Sequence, residues 1–412
     1  MSNNIGSVNF ANNYSLPSVR SEQTKPEAQQ QPAASDSVTL GQNEPAEKKK
    51  WTVLLYSAAD NNLESALVSD VMELEGAGST NDMNVVVQLD RGKRPSSLSG
   101  GWDGCKRFFL QKDSDANNIN SPALADLGQV NMSDPKVLSD FLQWGMKEYP
   151  AENYMLVMSD HGAGWPGALQ DISHNDFAST PTLANAIADA EKATGQKVNI
   201  VGFDACLMAS TEVAHEFAPV TDYLVASQNT EGGDGWPYSK IFTSKTIESL
   251  QKALESRFDV GPKEVAEQIV KDSHGFPSIS TLSATDLAKM KDLTEATDAF
   301  AKVLMESSVD KKTIKNIAAR TKGWYGFKDQ YDFAERLIKE PTITDDKLKT
   351  AAKEMQAALK EAVIAEQHSS AQNGAHGLTL EISSTGVAKP GYSDLQFAKD
   401  TQWDEAMKWL DK

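Results

Sequence analysis

Two side chains have a type and a position that could do chemistry. Cys206 follows the apolar, strand-like run VNIVGFDA, and His161 follows a second such run, YMLVMSD. A thiolate is a nucleophile, and an imidazole with a pKa near 6.5 can take up and release a proton near neutral pH. The pair indicates nucleophilic acyl transfer. The alternative is a small thiol that packs a strand end and a histidine that is an ordinary satisfied polar group.

The spacing of the pair predicts how the chain brings it together. His161 precedes Cys206 by 45 residues, which leaves room for one helix between two adjacent parallel strands about 5 Å apart. We expect a helix, predicted over residues 209–217, to place its N-terminus near Cys206 and stabilise the thiolate. The backbone amides of Gly162 and Cys206 are predicted to face a developing oxyanion, since glycine allows close approach to a substrate.

Two acids near this pair suggest a site for a cationic side chain. Asp204 precedes Cys206 by two residues, and Asp234 lies in the glycine-rich stretch TEGGDGWPY. A carboxylate disfavours ionisation of a neighbouring thiol, so Asp204 is better suited to receive a guanidinium or ammonium group of a substrate. A buried charge left unpaired there would cost about 3–5 kcal/mol. The alternative for Asp234 is a turn residue.

The elements that would position these residues alternate between apolar strands and helices. Strands are predicted at residues 51–58 and 84–90 and in YMLVMSD, VNIVGFD and DYLVASQ, with CKRFFLQ at a sheet edge or in a hairpin. Helices are predicted at residues 63–74, 134–149, 182–194 and 209–217. This order predicts an α/β fold with a mostly parallel sheet flanked by helices, and ligands in such sheets bind at the carboxyl ends of the strands.

The rest of the chain divides into two further regions. Residues 1–50 are rich in Asn, Ser, Gln and Pro, and we predict that they are disordered. Residues 51–258 are predicted to form the α/β core, and residues 259–412 a helix-rich C-terminal part packed on it. In that part, helices are predicted at residues 260–273, 286–305, 311–320, 332–339 and 346–368, and strands at residues 280–287 and 377–384.

Composition excludes several classes of function. The chain has 412 residues and a net charge of −18, which argues against nucleic acid and anionic membranes as partners. Two cysteines make neither a disulfide framework nor a cysteine metal site, and no metal or nucleotide motif is present. Neither a standard signal peptide nor a transmembrane segment is visible, so we expect a cytoplasmic protein or export by a non-standard route.

Four segments together resemble the clostripain family of cysteine peptidases, whose clan includes caspases and gingipains. They are YSAADNNLE, SDHGAGW, FDACLMAS and ASQNTEGGDGWPY, in that order. The resemblance covers residues 51–238 well and the C-terminal part loosely. It implies a caspase-like core in which His161 is the catalytic histidine and Cys206 the nucleophile. Asp204 and Asp234 would then hold the Arg or Lys that precedes the scissile bond.

The resemblance also implies a reaction and its partners. Peptide or protein substrates would be hydrolysed after Arg or Lys through an acyl-enzyme. His161 would protonate the leaving amine and then activate water, while the backbone of Gly162 and Cys206 holds the oxyanion. A monomer is expected. No cofactor is required from the sequence; the resemblance leaves calcium binding open, although the chain has no EF-hand loop.

One feature departs from the family pattern. Relatives often mature by cutting themselves after a basic residue in the loop that follows the catalytic histidine, yet residues 162–191 contain no Lys or Arg. The first is Lys192, in a predicted helix. The chain is therefore expected to act uncut or to be cut elsewhere, for instance at residues 48–50. A non-catalytic binding protein for basic peptides, or amide ligation by the same pair, are the alternatives.

Overall fold

The centre of the protein is a nine-stranded sheet. The computed structural model describes residues 48–242 and 261–412, and residues 48–412 belong to one unit. The strands are β1 (Lys49–Ala59), β2 (Met83–Arg91), β3 (Gly104–Phe109), β4 (Ala123–Gly128), β5 (Ala151–Ser159), β6 (Ala168–Asp171), β7 (Asp176–Ala178), β8 (Ile200–Asp204), β9 (Tyr223–Ala226), β10 (Thr281–Asp286), β11 (Gly323–Trp324), β12 (Phe327–Asp329), β13 (Val363–His368) and β14 (Thr379–Glu381).

The helices of the described ranges separate and cover these strands. They are α1 (Glu64–Ala77), α2 (Pro135–Glu148), α3 (Thr180–Thr194), α4 (Thr211–Phe217), α5 (Tyr238–Ile241), α6 (Pro262–Asp272), α7 (Met290–Glu306), α8 (Lys311–Arg320), α9 (Gln330–Lys339), α10 (Asp346–Ala362), α11 (Ser384–Val387), α12 (Gln396–Asp400) and α13 (Trp403–Asp411). In this part of the chain, no helix is long and apolar enough to span a bilayer.

The strand order of the central sheet is β13-β10-β9-β8-β5-β1-β2-β3-β4. The five strands from β9 to β2 run parallel to one another, whereas β3, β4, β10 and β13 are added in antiparallel pairs. The predicted mostly parallel α/β sheet is therefore confirmed. Strand β3, predicted at an edge or in a hairpin, lies one strand in from the edge formed by β4.

Alternate residues of the inner strands of the central sheet enter one of two cores, as pleating requires. In β1, Leu54 and Tyr56 pack on one face with α2, α3 and α4, and Val53 and Leu55 pack on the other with α1, α5 and α6. A third core joins the helices of the C-terminal region, including Phe300, to the loop that carries Cys206. Strands buried on both faces explain why their sequences are apolar throughout.

Two C-terminal predictions were wrong in detail. Residues 363–368, predicted as the end of a long helix, form β13, because α10 ends at Ala362 and the next residues pair with β10. The segment GLTLEISS contributes β14, but β14 pairs with β12 in a separate three-stranded sheet. The predicted return of the chain to the central sheet is made by β10 and β13.

The N-terminal residues and one internal segment bear on the predicted domains. Residues 1–47 and 243–260 lie outside the described residues, and with them most of the predicted disordered segment and the predicted boundary at residue 258. Lys49 and Lys50 belong to β1, where Lys49 pairs with Ala151, and the Lys50 ammonium lies 2.9 Å from the Glu152 carboxylate. The basic run considered as a cleavage site therefore begins a strand of the sheet.

Candidate active site

The register between β5 and β8 places the predicted pair side by side. Ser159 pairs with Asp204 in parallel strands, and His161 and Cys206 each lie two residues beyond that pair. Gly162 lies against the backbone of Cys206, so that a Cβ at this position would be 3.1 Å from the Cys206 nitrogen and closer still to its carbonyl oxygen. The two chain segments therefore leave the sheet in backbone contact, as the spacing in the sequence predicts.

A turn without a helix follows Cys206. Leu207 adopts a positive φ of 67°, and its amide donates to the Asn229 carbonyl at 3.1 Å. Helix α4 begins only at Thr211, after Ser210 has capped it by accepting from the Val213 amide. The predicted helix start close to Cys206 is thus wrong, and the left-handed turn at Leu207, not a helix N-terminus, sets the position of the thiol.

The surroundings of Cys206 favour the neutral thiol. Burial raises its pKa, the backbone amide of Glu231 acts in the opposite direction, and the charge of Asp204 raises it further. That amide lies 3.4 Å from Sγ. Since desolvation opposes the charged form, the thiol needs a base to remove its proton during attack.

His161 is held by a residue that sequence reasoning missed. Its Nε2 lies 2.9 Å from Oδ1 of Asn62, and burial lowers the pKa of the imidazole. Asn62 follows β1, and the side chain of its neighbour Asn61 donates to Asp160 Oδ1 at 2.7 Å. The polar run Asp-Asn-Asn at the end of a buried strand could have identified both asparagines from the sequence.

Two amides of the site are available to a ligand. Within residues 48–242 and 261–412, neither the Gly162 amide nor the Cys206 amide donates a hydrogen bond to another residue. The neighbouring amides of Ala163 and Leu169 do, to the carbonyls of Gly167 and His161. Two adjacent amide donors beside a thiol are the arrangement that stabilises a tetrahedral oxyanion.

Asp204 lies in the wall of the site, where hydrogen-bond donors of the protein already contact its carboxylate. Only 5% of its surface is exposed. Its Oδ2 accepts from the Tyr238 hydroxyl at 2.8 Å, from the Trp236 amide at 3.3 Å and from the Ser159 hydroxyl at 3.3 Å. Burial raises its pKa, and these donors act in the opposite direction.

The loop that carries Asp234 covers Asp204 and adds further acids. Asp234 itself is exposed. A Cβ on the next residue, Gly235, would lie 2.8 Å from Asp204 Oδ2 and 2.9 Å from Asp70 Oδ2. Burial and then the charge of Asp204 raise the pKa values of both Asp70 and Glu231 well above their usual range. Sequence reasoning missed both residues, because Asp70 lies in a helix and Glu231 in a loop without regular secondary structure.

The loop after His161 folds back as a hairpin. Residues 168–171 and 176–178 form β6 and β7, and Gly162 makes an isolated bridge to Ala168. Lys192, the first basic residue after His161, lies inside α3, as predicted. The hairpin packs on the end of β1 through a bond from the Ile172 amide to the Asp60 carbonyl.

Sequence comparison agrees with the family resemblance of the sequence. The profile of the clostripain family (Peptidase_C11) matches residues 55–409. Clostripain from Hathewaya histolytica is 31% identical over an alignment of 225 residues, and the match covers 47% of this chain and 42% of clostripain. The chain therefore matches less than half the length of that relative.

Structural comparison finds the same fold. The secreted C11 cysteine protease "iotapain" from Bacteroides thetaiotaomicron superposes with a TM-score of 0.62 at 18% identity, over 88% of this chain and 99% of that one. A secreted C11 cysteine protease from the same organism, in complex with an irreversible peptide inhibitor, gives 0.59 at 20% identity over the same shares. The predicted caspase-like α/β fold is confirmed. Because the family profile also covers most of the sequence, this chain belongs to the clostripain family.

Proposed function

We propose that this protein is a cysteine endopeptidase that hydrolyses peptide bonds after Arg or Lys, with Cys206 as nucleophile and His161 as acid and base. The observation that carries the proposal is the register of β5 and β8, which brings the His161-Gly162 and Cys206 segments into backbone contact. Membership of the clostripain family supports it.

The attacking step begins from a neutral pair. Burial raises the pKa of the Cys206 thiol and lowers that of the His161 imidazole, so both groups are uncharged at neutral pH before substrate binds. His161 takes the thiol proton as Sγ forms its bond to the scissile carbonyl carbon. The carbonyl electrons move onto oxygen, where the amides of Gly162 and Cys206 donate to the oxyanion.

The next steps return the protein to its starting state. The imidazolium of His161 gives its proton to the amine as the peptide C–N bond breaks, which leaves a thioester on Cys206. His161 then removes a proton from water as the water oxygen attacks the thioester, and the departing sulfur regains that proton. The bond between His161 and Asn62 fixes the orientation of the ring throughout.

Specificity follows from the acids at the wall of the site. Asp204, Asp70 and Glu231 bring three carboxyl groups together beneath the loop that carries Asp234. Burial and then the charge of Asp204 raise the pKa values of Asp70 and Glu231, whereas burial raises that of Asp204. A guanidinium or ammonium group would relieve the repulsion among these carboxylates. Since Trp236 and Tyr238 already bond to Asp204, the substrate cation displaces these donors or binds beside them.

The test compares fluorogenic peptides that differ only in the residue before the scissile bond. Purified protein is expected to cleave the Arg and Lys peptides and to spare those with Asp or Leu. Cys206→Ala should abolish cleavage without changing the folded state. No turnover of the basic peptides, or turnover that survives in Cys206→Ala, would refute the proposal.

A binding protein for basic peptides is the second candidate, and one observation favours it. The thiol of Cys206 is kept protonated by burial, and Asp204 is saturated with protein donors, as in a protein that does no catalysis. Peptide affinity without hydrolysis would support this candidate. Product analysis with an added amine separates hydrolysis from ligation.

A further inference from the structure

The short hairpin β11–β12 lies beside both loops of the candidate active site. The ring of Phe327 packs on the loop after His161, where a Cβ on Gly164 would lie 2.6 Å from the ring Cζ. On its other side, β12 pairs with β14, and Thr379 of β14 forms an isolated bridge to Ser210, four residues after the nucleophile. The hairpin therefore borders the site next to the loop of the histidine and the loop of the cysteine.

The turn of this hairpin holds an aromatic ring in solvent. Tyr325 and Gly326 link β11 to β12, and both have a positive φ, of 51° and 104°. Tyr325 is 60% exposed, more than any other large hydrophobic side chain in residues 48–242 and 261–412. Two-residue turns with positive φ at both positions favour Asn or Asp before Gly, because a bulky side chain is strained there. A tyrosine is therefore a poor choice for the turn itself.

Contacts at the base of the turn fix its position. Trp324 and Phe327 pair across the hairpin, and both are buried in the third core. The Trp324 indole donates to Gln372 Oε1 at 2.9 Å, and the Lys322 ammonium lies 5.4 Å from the centroid of the Trp324 ring. A ligand that contacts Tyr325 therefore meets a turn that is already ordered, which lowers the entropic cost of binding.

A peptide in the active site can reach this turn. Gly164, on which the hairpin packs, follows the proposed oxyanion donor Gly162 by two residues. An extended peptide advances about 3.3 Å per residue, so a side chain within about four residues of the scissile bond can contact the turn. The pocket for Arg or Lys lies elsewhere, since Asp204 bonds to Trp236 and Tyr238 of the core on the α1 side of the sheet.

We propose that Tyr325 binds an apolar or aromatic side chain of the substrate, within about four residues of the scissile bond, and so determines a second specificity of the peptidase. A tyrosine ring offers a large contact surface at a low cost in side-chain entropy. The segment from Lys322 to Lys328 contains two lysines and no acid, so a second cationic side chain is disfavoured there. This inference rests on the proposed function, because the ligand is the peptide substrate.

The test uses internally quenched peptides that contain one Arg flanked by glycines, in which Phe replaces each of the four residues on either side in turn. The readout is the ratio of kcat/KM for each Phe peptide to that for the glycine peptide. We expect a preference of about tenfold for Phe at one position, which Tyr325→Ala loses and Tyr325→Phe retains. Leu124→Ala is the matched control, since it removes a side chain that is 48% exposed on the edge strand β4, and it should keep the preference.

Thermal unfolding separates a ligand contact from a structural role. Tyr325→Asn places a favoured residue in the turn, so this variant should melt at a higher temperature than the parent while it loses the preference for Phe. A lower melting temperature of Tyr325→Asn would show that the ring supports the fold, and it would overturn the subsite. The subsite is also overturned if no position prefers Phe, or if Tyr325→Ala keeps the preference.

Binding without turnover distinguishes failure of the subsite from failure of the proposed function. Fluorescein-labelled versions of the same peptides are titrated with Cys206→Ala protein, and fluorescence anisotropy should show tighter binding of the preferred Phe peptide only when Tyr325 is present. No cleavage at Arg by the protein with Cys206 refutes the proposed function, whereas binding that depends on Tyr325 still supports the subsite. Equal binding of the Phe and glycine peptides overturns it.

Discussion

Gly162 and Cys206 touch through their backbones where β5 and β8 leave the sheet. A side chain at Gly162 would come within 3.1 Å of the Cys206 nitrogen and of the Ala205 Cβ. This contact sets the distance between the two amides proposed as oxyanion donors. It also ties the position of the histidine loop to that of the nucleophile.

Gly162→Ala should abolish most activity while leaving the protein folded. The added methyl group must push the two segments apart, and loss of an oxyanion donor elsewhere costs about 100- to 1000-fold in kcat. We expect a fall of that size in kcat on Arg and Lys peptides. Gly76→Ala is the matched control, since its Cβ would meet only the Asp113 carbonyl at 3.8 Å. Full activity in Gly162→Ala would contradict this role.

The acid limb of the profile of kcat/KM against pH should lie below the usual pKa of histidine. His161 acts as a base only when neutral, and burial lowers its pKa from the ordinary 6.5. Activity therefore persists as pH falls through 6.5 and declines only below it. Measuring kcat/KM against pH checks this, and a limb centred above 6.5 would contradict it.

Alkylation should report the raised pKa of the nucleophile. Burial raises the pKa of Cys206 above its ordinary 9.0, so the rate of reaction with iodoacetamide should still be rising at pH 9 in the protein without substrate. Mass spectrometry assigns the label to its residue, with fully buried Cys105 as the internal control. A rate that is already constant at pH 7 would show a thiolate–imidazolium pair instead.

Asp204 and Asp234 should contribute to the cleavage of positively charged substrates only. Asp204→Asn and Asp234→Asn are expected to lower kcat/KM for Arg peptides, by about 100-fold where the lost carboxylate is buried. The same peptides with citrulline, which is uncharged and nearly isosteric, should be cleaved slowly by parent and variants alike. An equal proportional loss on both substrates would indicate that the acid supports the fold.

Asn62 is expected to position His161, and its replacement should change kcat more than KM. Asn62→Ala removes the acceptor that lies 2.9 Å from Nε2 and should lower kcat about tenfold. Asn62→Asp keeps an acceptor and adds a charge, so it should retain more activity and move the acid limb to higher pH. A purely structural residue would leave the limb where it is.

Local sequence patterns were enough to predict the sheet and the neighbouring positions of His161 and Cys206. Parallel strands buried on both faces are apolar throughout, and one intervening helix makes consecutive strands neighbours. The pairing of β5 with β8 follows from that rule. His161 and Cys206 could be predicted as the reactive pair because each of them follows the end of such a strand.

Features that depend on long-range contacts could not be predicted in this way. Residues 363–368 continue the helical pattern of α10, and only pairing with β10 makes them a strand. The turn at Leu207 separates Cys206 from α4, although the sequence reads as a strand followed directly by a helix.

In the proposed reaction, Cys206 attacks the carbonyl that follows a basic residue, with His161 as its base. The most direct measurement is mass spectrometric mapping of the adduct formed by a peptidyl ketone that carries Lys next to its reactive carbon. We expect one adduct, on Cys206, that forms far more slowly in His161→Ala and with the matching Asp ketone. No adduct on Cys206, or an adduct formed equally fast in His161→Ala, would contradict it.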